Sequence, residues 1–255
     1  MKTYQFIFSF FFATAVLFFA ASPALAHHSL PDLRMAKLQS LQIDNTADSR
    51  KLLRFTSIIV NVGDGPFEVI GKRESSESTE MKVIQHLYYG GSGEYDTEDT
   101  DAIMYFAGDD HTHWHVRDLT TYVLTNANKK KVKGVGVKRG FCFFDTNPIN
   151  RSLPNAPQNS VYNDQTTPPA CGAESDLEVK MGLSVGWGDE YPHFLSDQYI
   201  DITGLKNGKY KLHATADADN WFWETDDWNN NTWVEFKLKG DKITILGYGP
   251  SADSE

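Results

Sequence analysis

Three histidines at alternate positions are the residues of this chain best suited to metal chemistry. His111, His113 and His115 lie in the segment Asp-Asp-His-Thr-His-Trp-His, and alternate residues of a β-strand project from one face. Three neutral imidazoles with one coordination position left open favour copper or catalytic zinc over structural zinc, which takes four protein ligands. Trp114 would face the opposite, apolar side of such a strand. The spacing therefore predicts a strand-borne metal site; the alternative is a surface strand with solvated histidines.

The metal-binding strand needs a scaffold, and the sequence predicts an all-β, sandwich-like core with long irregular loops. Runs rich in β-branched and aromatic residues end at turn residues, and helical periodicity is scarce. Two long loop regions are expected, 74–101, which brackets one short strand, and 146–183; stretches of this length are usually functional or disordered. The predicted strands cover residues 52–63, 67–70, 81–89, 103–106, 122–124, 136–144, 199–202, 210–214, 233–238 and 243–246.

The first 26 residues have the pattern of a secretory signal peptide. Lys2 precedes a long apolar run, and small residues follow as far as Ala26. We therefore predict a signal peptide over residues 1–26 and one mature domain over residues 27–255, secreted or exported to a periplasmic or extracellular space. The mature sequence has no second apolar run of spanning length, so no membrane attachment is expected after cleavage.

The chain contains two cysteines, Cys142 and Cys171. In an oxidising compartment such a pair predicts a disulfide, which closes a loop of about 30 residues and stabilises the fold by roughly 3 to 4 kcal/mol. A reactive thiol is the alternative.

The overall charge is acidic, with 34 Asp and Glu against 24 Lys and Arg and a formal net charge of −10. This balance argues against a nucleic-acid partner, whose phosphates would be repelled. It is compatible with a cationic substrate such as an amine.

Lys138 and Tyr191 are unusual by their surroundings. Lys138 lies among glycines and apolar residues, four residues before Cys142; by itself, such a lysine is typical of a solvated strand edge. Tyr191 is preceded by two acidic residues and followed by proline, a pattern typical of a packed loop tyrosine. The residues alone leave both side chains without an assigned role.

His27 supports an alternative copper chemistry. Cleavage after Ala26 would make His27 the amino terminus, where its amine and ring together can chelate copper. A histidine-brace monooxygenase therefore remains open, provided that the amino terminus lies near the strand that carries His111 to His115.

Several motifs, taken in order, resemble the catalytic domain of the lysyl oxidases. They are the histidine triplet, Lys138-x-x-x-Cys142, and the run Gly-Leu-Ser-x-Gly…Asp-x-Tyr…Tyr-Ile-Asp-Ile-Thr over residues 182–203. Leu-Pro-Asp-Leu at 30–33, Leu-Leu-Arg-Phe at 52–55 and Glu-Thr-Asp…Asn-Asn at 224–230 extend the resemblance over most of the mature chain. Each motif is modest alone, but their joint order makes chance agreement improbable.

The resemblance implies a copper centre and a cofactor made from the protein's own side chains. His111, His113 and His115 match the family's copper ligands, and Lys138 and Tyr191 match the pair that becomes lysine tyrosylquinone. The cross-link requires a neutral Lys138 amine, which a desolvated position would favour.

A calcium site is implied as well. Oxygen donors suit a hard cation, and a group of residues near both ends of the mature chain matches the family's calcium ligands. The alternative is an ordinary polar turn between two tryptophans. The implied calcium ligands are Asp32, the Leu33 carbonyl, Glu224, Asp226, Asn229 and Asn230.

The implied activity is a secreted, copper-dependent amine oxidase. It would use O2 to convert a primary amine, either small or the lysyl side chain of a protein, to an aldehyde, releasing hydrogen peroxide and ammonia. Asp118, three residues after His115, matches an acid in the family and is the candidate for the base or for a group that orients a metal ligand. The loops at 74–101 and 146–183 differ from those of the animal enzymes, which leaves the substrate open. A non-catalytic exported copper-binding module is the second alternative.

Overall fold

A computed structural model describes residues 27–90, 93–107, 112–134, 140–163 and 171–254. Throughout these residues the secondary structure is β-strand, turn and loop, without a helix, so the predicted all-β fold is confirmed. No helix that could span a membrane is found within them. The predicted signal peptide, His111 and Lys138 lie outside the described residues.

The described residues form eighteen strands. In chain order these are β1 (His28–Ser29), β2 (Leu33–Met35), β3 (Gln39–Asn45), β4 (Lys51–Asn61), β5 (Phe67–Lys72), β6 (Glu80–Tyr89), β7 (Tyr95–Phe106), β8 (Trp114–Arg117), β9 (Thr120–Asn126), β10 (Lys131–Gly134), β11 (Gly140–Phe141), β12 (Asn147–Pro148), β13 (Glu178–Leu183), β14 (Trp187–Tyr191), β15 (Tyr199–Asp201), β16 (Gly208–Ala216), β17 (Asn231–Lys239) and β18 (Lys242–Tyr248).

The strands pair antiparallel in three sheets. The first sheet has the order β11-β8-β7-β6-β5-β13, with β1 attached to β6. The second has the order β10-β9-β16-β17-β18, and the third has β12-β14-β4-β15, with β2 and β3 also bonded to β4. Because one hydrophobic core draws buried side chains from all three sheets, the histidine strand β8 and the tyrosine strand β14 are held by the same interior.

The central strand β4 shows why the sequence folds this way. Its run Leu-Leu-Arg-Phe-Thr-Ser-Ile-Ile-Val is rich in β-branched and apolar residues, and Leu53, Phe55 and Val60 are fully buried. A strand that is buried on both faces has a nearly continuous apolar sequence. In contrast, β16 alternates, with Tyr210 and Leu212 directed into the core and the intervening residues outside.

The structure corrects four predicted boundaries. The histidine strand begins at Trp114, and His113 precedes it, although the His113 carbonyl still accepts a hydrogen bond from the Ala107 amide (3.0 Å). In the predicted strand 136–144, the described part is strand only at Gly140–Phe141. The strand predicted inside 74–101 is confirmed as β6, but this region also contributes the first part of β7, and the predicted loop 146–183 contains β12 and β13. Pairing with neighbouring strands converts these polar segments into sheet, which local composition does not reveal.

Candidate active site

Trp114 anchors the strand that carries the histidines. Its ring is fully buried, its amide donates to the Cys171 carbonyl (2.9 Å), and its indole Nε1 donates to the Ala173 carbonyl (2.8 Å). Because side chains alternate along a strand, the anchored Trp114 directs His115 to the opposite face. His115 is fully buried there and pairs in register with Tyr105 of β7.

The rings of His113 and His115 face each other. Their centroids are 4.8 Å apart and their Nε2 atoms are 3.0 Å apart. Two imidazoles that each bind one metal at about 2.0 to 2.1 Å place their nitrogens about 3 Å apart, so this pair fits a shared copper ion. No cluster of three or more His, Cys, Asp or Glu side chains with metal-binding geometry occurs within the described ranges, and the third predicted ligand, His111, lies outside them.

Tyr191 is buried at the end of β14. Its hydroxyl accepts a hydrogen bond from the Cys142 amide (3.0 Å), and its ring packs edge-on against Phe141 at 4.2 Å. Burial raises the pKa of Tyr191 well above 10, and the negative charge of Asp189 raises it further. Asp189 is itself buried and lies two positions before Tyr191 on the same strand face.

A disulfide links Cys171, which is hydrogen-bonded to the histidine strand, to Cys142, which binds the Tyr191 hydroxyl. The predicted bond between Cys142 and Cys171 is present, with the Cα atoms 5.6 Å apart. Cys171 accepts the hydrogen bond from Trp114, and Cys142 donates to the Tyr191 hydroxyl. The hydrogen bonds and the disulfide therefore connect strand β8 of the first sheet to Tyr191 in strand β14 of the third sheet.

Gly140 and Tyr105 complete this region, and the sequence reasoning missed both. A Cβ at Gly140 would lie 2.3 Å from the Tyr105 hydroxyl and 2.8 Å from the His115 Cβ, so only glycine lets β11 approach β8 this closely. The Tyr105 ring meets His115 edge-on at 5.8 Å and lies under Arg117 at 5.3 Å. The sequence signal was available in the glycine itself, which follows Lys138 by two residues.

Asp118 lies apart from these groups. It follows β8 in a left-handed backbone conformation with φ of 52°. In the part of the chain that the structure describes, no hydrogen bond or ion pair joins it to His115 or Tyr191. The acid whose negative charge raises the pKa of Tyr191 is Asp189. The motif Asp-x-Tyr contained this signal, because residues two apart on a strand share a face.

Four of the six implied calcium ligands lie together, near the start of β2. The Asn229 side-chain amide donates to Asp32 (3.0 Å), and the Asn230 amide donates to Glu224 (2.9 Å). Leu33 contacts Glu224 through its amide rather than its carbonyl. Asp226 is exposed and accepts a hydrogen bond from the Trp228 amide (2.9 Å) in its own turn.

The electrostatics of this cluster suit a cation. The side-chain oxygens of Asn229 and Asn230 are buried and accept no hydrogen bond from the residues that the structure describes. Burial raises the pKa of Glu224 to about 9, and the charges of Asp217 and Asp32 act in the same direction. Buried oxygens without donors and a desolvated carboxylate are stabilised by a hard cation such as calcium.

The amino-terminal end lies far from the histidine pair. Strand β1 pairs with Tyr89 at the end of β6, whereas His115 pairs with Tyr105, which lies opposite Glu80 at the start of β6. Nine residues of strand separate these positions, a distance of about 30 Å. His27 is therefore not placed to bind a metal together with His115.

The family described as Lysyl oxidase matches residues 98–247, which include the histidine pair, the disulfide, Tyr191 and most of the calcium cluster. The chain belongs to the lysyl oxidase family. This match runs from strand β7 to strand β18, so the family's characteristic sequence spans the strands that assemble the site.

Individual lysyl oxidases are related at low identity. The chain is 27% identical over 197 residues to lysyl oxidase homolog 3B of Danio rerio, covering 77% of this chain and 19% of that protein. It is 27% identical to lysyl oxidase homolog 4 of Mus musculus, covering 77% and 20%, and 26% identical to lysyl oxidase homolog 2 of Homo sapiens, covering 79% and 20%. The chain thus spans about a fifth of the length of these relatives.

Proposed function

We propose that this chain is an exported copper-dependent amine oxidase. The reaction converts a primary amine, O2 and water to an aldehyde, ammonia and hydrogen peroxide. The observation that carries the proposal is the pair of histidine nitrogens 3.0 Å apart, at the start of a strand that is hydrogen-bonded to Cys171, the disulfide partner of the residue that binds the Tyr191 hydroxyl. Membership in the lysyl oxidase family supports the same class of chemistry.

His111, His113 and His115 would hold the copper, and Lys138 and Tyr191 would form lysine tyrosylquinone. Copper and O2 supply the oxidation of the phenol ring, and the finished quinone supplies an electron sink for amine oxidation. Lys138 stands two residues before Gly140 in the sequence, and Gly140 packs against Tyr105 and His115.

The surrounding protein groups have defined tasks in this proposal. The Cys142 amide holds the Tyr191 oxygen in place, and the packed Phe141 ring keeps water from one side of the phenol. Asp189 is the candidate group for removing the substrate α-proton, because it is the buried acid whose charge acts on Tyr191. Asp118 remains the candidate suggested by sequence.

The substrate is a primary amine, either small or the lysyl side chain of a protein. An acidic chain attracts a cationic substrate, and a disulfide accords with an oxidising compartment. We accordingly propose that residues 1–26 direct export and that residues 27–255 form the functional domain. Calcium bound by Asp32, Glu224, Asn229 and Asn230 would fasten the start of the domain to the loop before β17.

Peptide mapping of copper-loaded, aerated protein tests the proposal. We expect one cross-linked peptide that contains both Lys138 and Tyr191, and a visible quinone absorbance that phenylhydrazine removes. Lys138→Arg should abolish both signals and amine oxidation, whereas Lys131→Arg, a matched change in the neighbouring strand, should leave them unchanged. Two separate, unmodified peptides from copper-replete protein would instead favour a non-catalytic copper-binding module.

A second measurement distinguishes the amine oxidase from the histidine-brace monooxygenase. Replacement of His27 by alanine removes the side chain that a histidine brace requires. We expect amine oxidation and copper content to stay within about twofold of the wild-type values, because β1 and β8 lie at opposite ends of β6. Loss of copper from this variant would contradict the assignment.

A further inference from the structure

The five-stranded sheet has a charge opposite to that of the whole chain. Its strands contain seven lysines and one glutamate, whereas the full sequence has ten more acidic than basic side chains. This sheet therefore has a local excess of basic residues. They are Lys131, Lys133, Lys209, Lys211, Lys237, Lys239 and Lys242.

Strand pairing gathers several of these lysines on the outer face. In β16 and β17 the apolar side chains point into the core, and Lys209, Lys211 and Lys237 point outward. Lys209 lies directly opposite Lys237 across the two strands. Like charges at directly opposed positions destabilise a sheet, so this pair has a cost that a bound anion would remove.

The lysines on this face lack carboxylate partners. Among the described residues, no Asp or Glu oxygen lies within 4 Å of the ammonium groups of Lys129, Lys209, Lys211 or Lys237. Lys211 lies opposite Glu235 in the strand register, yet its ammonium sits 3.6 Å above the Trp233 ring. Positive charge on this face is thus left available to a ligand.

A cleft of about 450 Å³ opens beside these lysines. Its floor is formed by β9 and β16, and its rim by the turn that follows Asn126, in which Lys129 has a left-handed conformation. Three lysines, Lys129, Lys209 and Lys211, line the cleft together with one carboxylate, Glu235. The other polar lining residues are Thr125, Asn126 and His213.

We propose that this cleft binds an acidic polysaccharide that carries sulfate or carboxylate groups. Lysine ammonium groups match the anionic substituents, and hydroxyl and amide side chains match sugar hydroxyls. An acidic peptide is less suited, because peptides add to sheets along an open edge and this cleft lies on the face. Single-stranded nucleic acid is less suited, because its bases stack on exposed aromatic rings and the Tyr210 ring in the cleft lining is buried.

Binding of dextran sulfate to the full chain tests the proposal, with uncharged dextran as the ligand control. We expect dextran sulfate to bind and dextran not to bind. Lys209→Gln combined with Lys237→Gln should weaken binding about fivefold or more and reduce the slope of log affinity against log salt by about 1.5, as expected for two lost ion contacts to a linear polyanion. The matched double variant Lys72→Gln with Lys82→Gln, on the first sheet, should keep wild-type binding.

The following outcomes would contradict the proposed polysaccharide site. Equal affinity and equal salt slope in the two double variants would show that dextran sulfate binds elsewhere. Polyglutamate or single-stranded DNA binding as tightly as dextran sulfate would show a general polyanion surface rather than a polysaccharide site. Amine oxidation should be unchanged in all variants, so failure here is distinguishable from failure of the proposed enzyme activity.

Discussion

At the residue scale, Tyr191 depends on groups that fix its oxygen and set its charge. The Cys142 amide donates to the phenol oxygen, while burial and Asp189 keep the phenol protonated by raising its pKa. A phenol in this state is a poor electron donor until a nearby cation offsets the burial. In the proposed enzyme, His113 and His115 would hold such a cation.

The variants Asp189→Asn and Asp118→Asn test which of the two acids is the catalytic base. If Asp189 removes the substrate proton, kcat for amine oxidation should fall by about 10² to 10⁴ fold, while Asp118→Asn should remain within about threefold of the wild type. Loss of the Asp189 charge should also lower the pKa of Tyr191 in copper-free protein, measured by spectroscopic titration. Quinone absorbance, measured in parallel, distinguishes slow catalysis from failed cofactor formation. A larger loss in Asp118→Asn would reverse the assignment.

Gly140→Ala tests the close approach of β11 to β8. The new methyl group would lie 2.3 Å from the Tyr105 hydroxyl and 2.8 Å from the His115 Cβ, so the histidine strand must shift. We expect copper affinity to fall about tenfold, a size typical of changes in groups that orient metal ligands. Isothermal titration with copper measures this effect.

Two further variants control that experiment. Gly247→Ala adds a methyl group where no atom lies within 4 Å, and copper affinity should not change. Adding Tyr105→Phe to Gly140→Ala removes the closest contact and should restore part of the lost affinity. Unchanged copper binding in Gly140→Ala would contradict the proposed packing.

At the element scale, buried Glu68 clamps the strands of the first sheet. Its carboxylate accepts hydrogen bonds from His86 (2.7 Å), Tyr88 (2.7 Å), Tyr162 (2.9 Å) and Lys180 (3.2 Å). These four partners belong to β6, β13 and the segment after β12. A carboxylate with this many donors is stabilised in its charged form, so the cluster fixes how the long segment 149–163 packs on the sheet.

The Glu68 cluster predicts a loss of stability in acid. Burial opposes ionisation, but the hydrogen bonds from His86 and Tyr88 and the charge of Lys180 outweigh it and lower the pKa of Glu68 to about 2. A carboxyl group whose folded pKa is depressed stabilises the fold above its unfolded pKa of 4.5, and this contribution is lost as the pH falls towards 2. The contribution is about 3 kcal/mol.

Urea unfolding at pH 7 and pH 3 measures this contribution. Glu68→Gln should unfold at lower urea than the wild type at pH 7, and the difference should narrow at pH 3. Glu178→Gln, which removes an exposed carboxylate paired with Lys72, should change stability by less than about 1 kcal/mol at either pH. An equal deficit of Glu68→Gln at both pH values would indicate lost packing rather than lost charge.

At the scale of the whole molecule, the proposed calcium site joins the segment before β2 to the segment before β17. Asp32 lies just before β2, and Glu224, Asn229 and Asn230 lie just before β17. The Thr225 amide also donates to the Pro31 carbonyl (2.8 Å). Cation binding here would resist separation of segments almost two hundred residues apart.

Calcium should therefore raise the melting temperature. At a free concentration one hundred times the dissociation constant, a single site stabilises the folded state by about 2.7 kcal/mol, which corresponds to about 5 to 10 °C for a domain of this size. Calorimetry with and without chelator measures the shift. Glu224→Gln should abolish the calcium response, and Asp227→Asn, an exposed change in the same loop, should keep it. An equal response in both variants would place calcium elsewhere.

The sequence determined much of this protein by itself. Apolar and β-branched runs predicted the all-β fold and the strands β4, β5, β6, β9, β16, β17 and β18, because the alternation of buried and exposed side chains along a strand is a local property. The two cysteines predicted the disulfide, and ordered motifs pointed to the lysyl oxidases. These inferences rest on residue types and on spacings within one strand or turn, which the local chain already defines.

Only the tertiary structure decided which distant residues meet. It brought the Cys142 amide to the Tyr191 hydroxyl, packed Gly140 against Tyr105 and His115, and aligned Lys209 with Lys237. It also turned polar segments into strands β7 and β13. Strand register and sheet order cause these contacts, and both follow from the packing of the whole core, so no local stretch of sequence contains them.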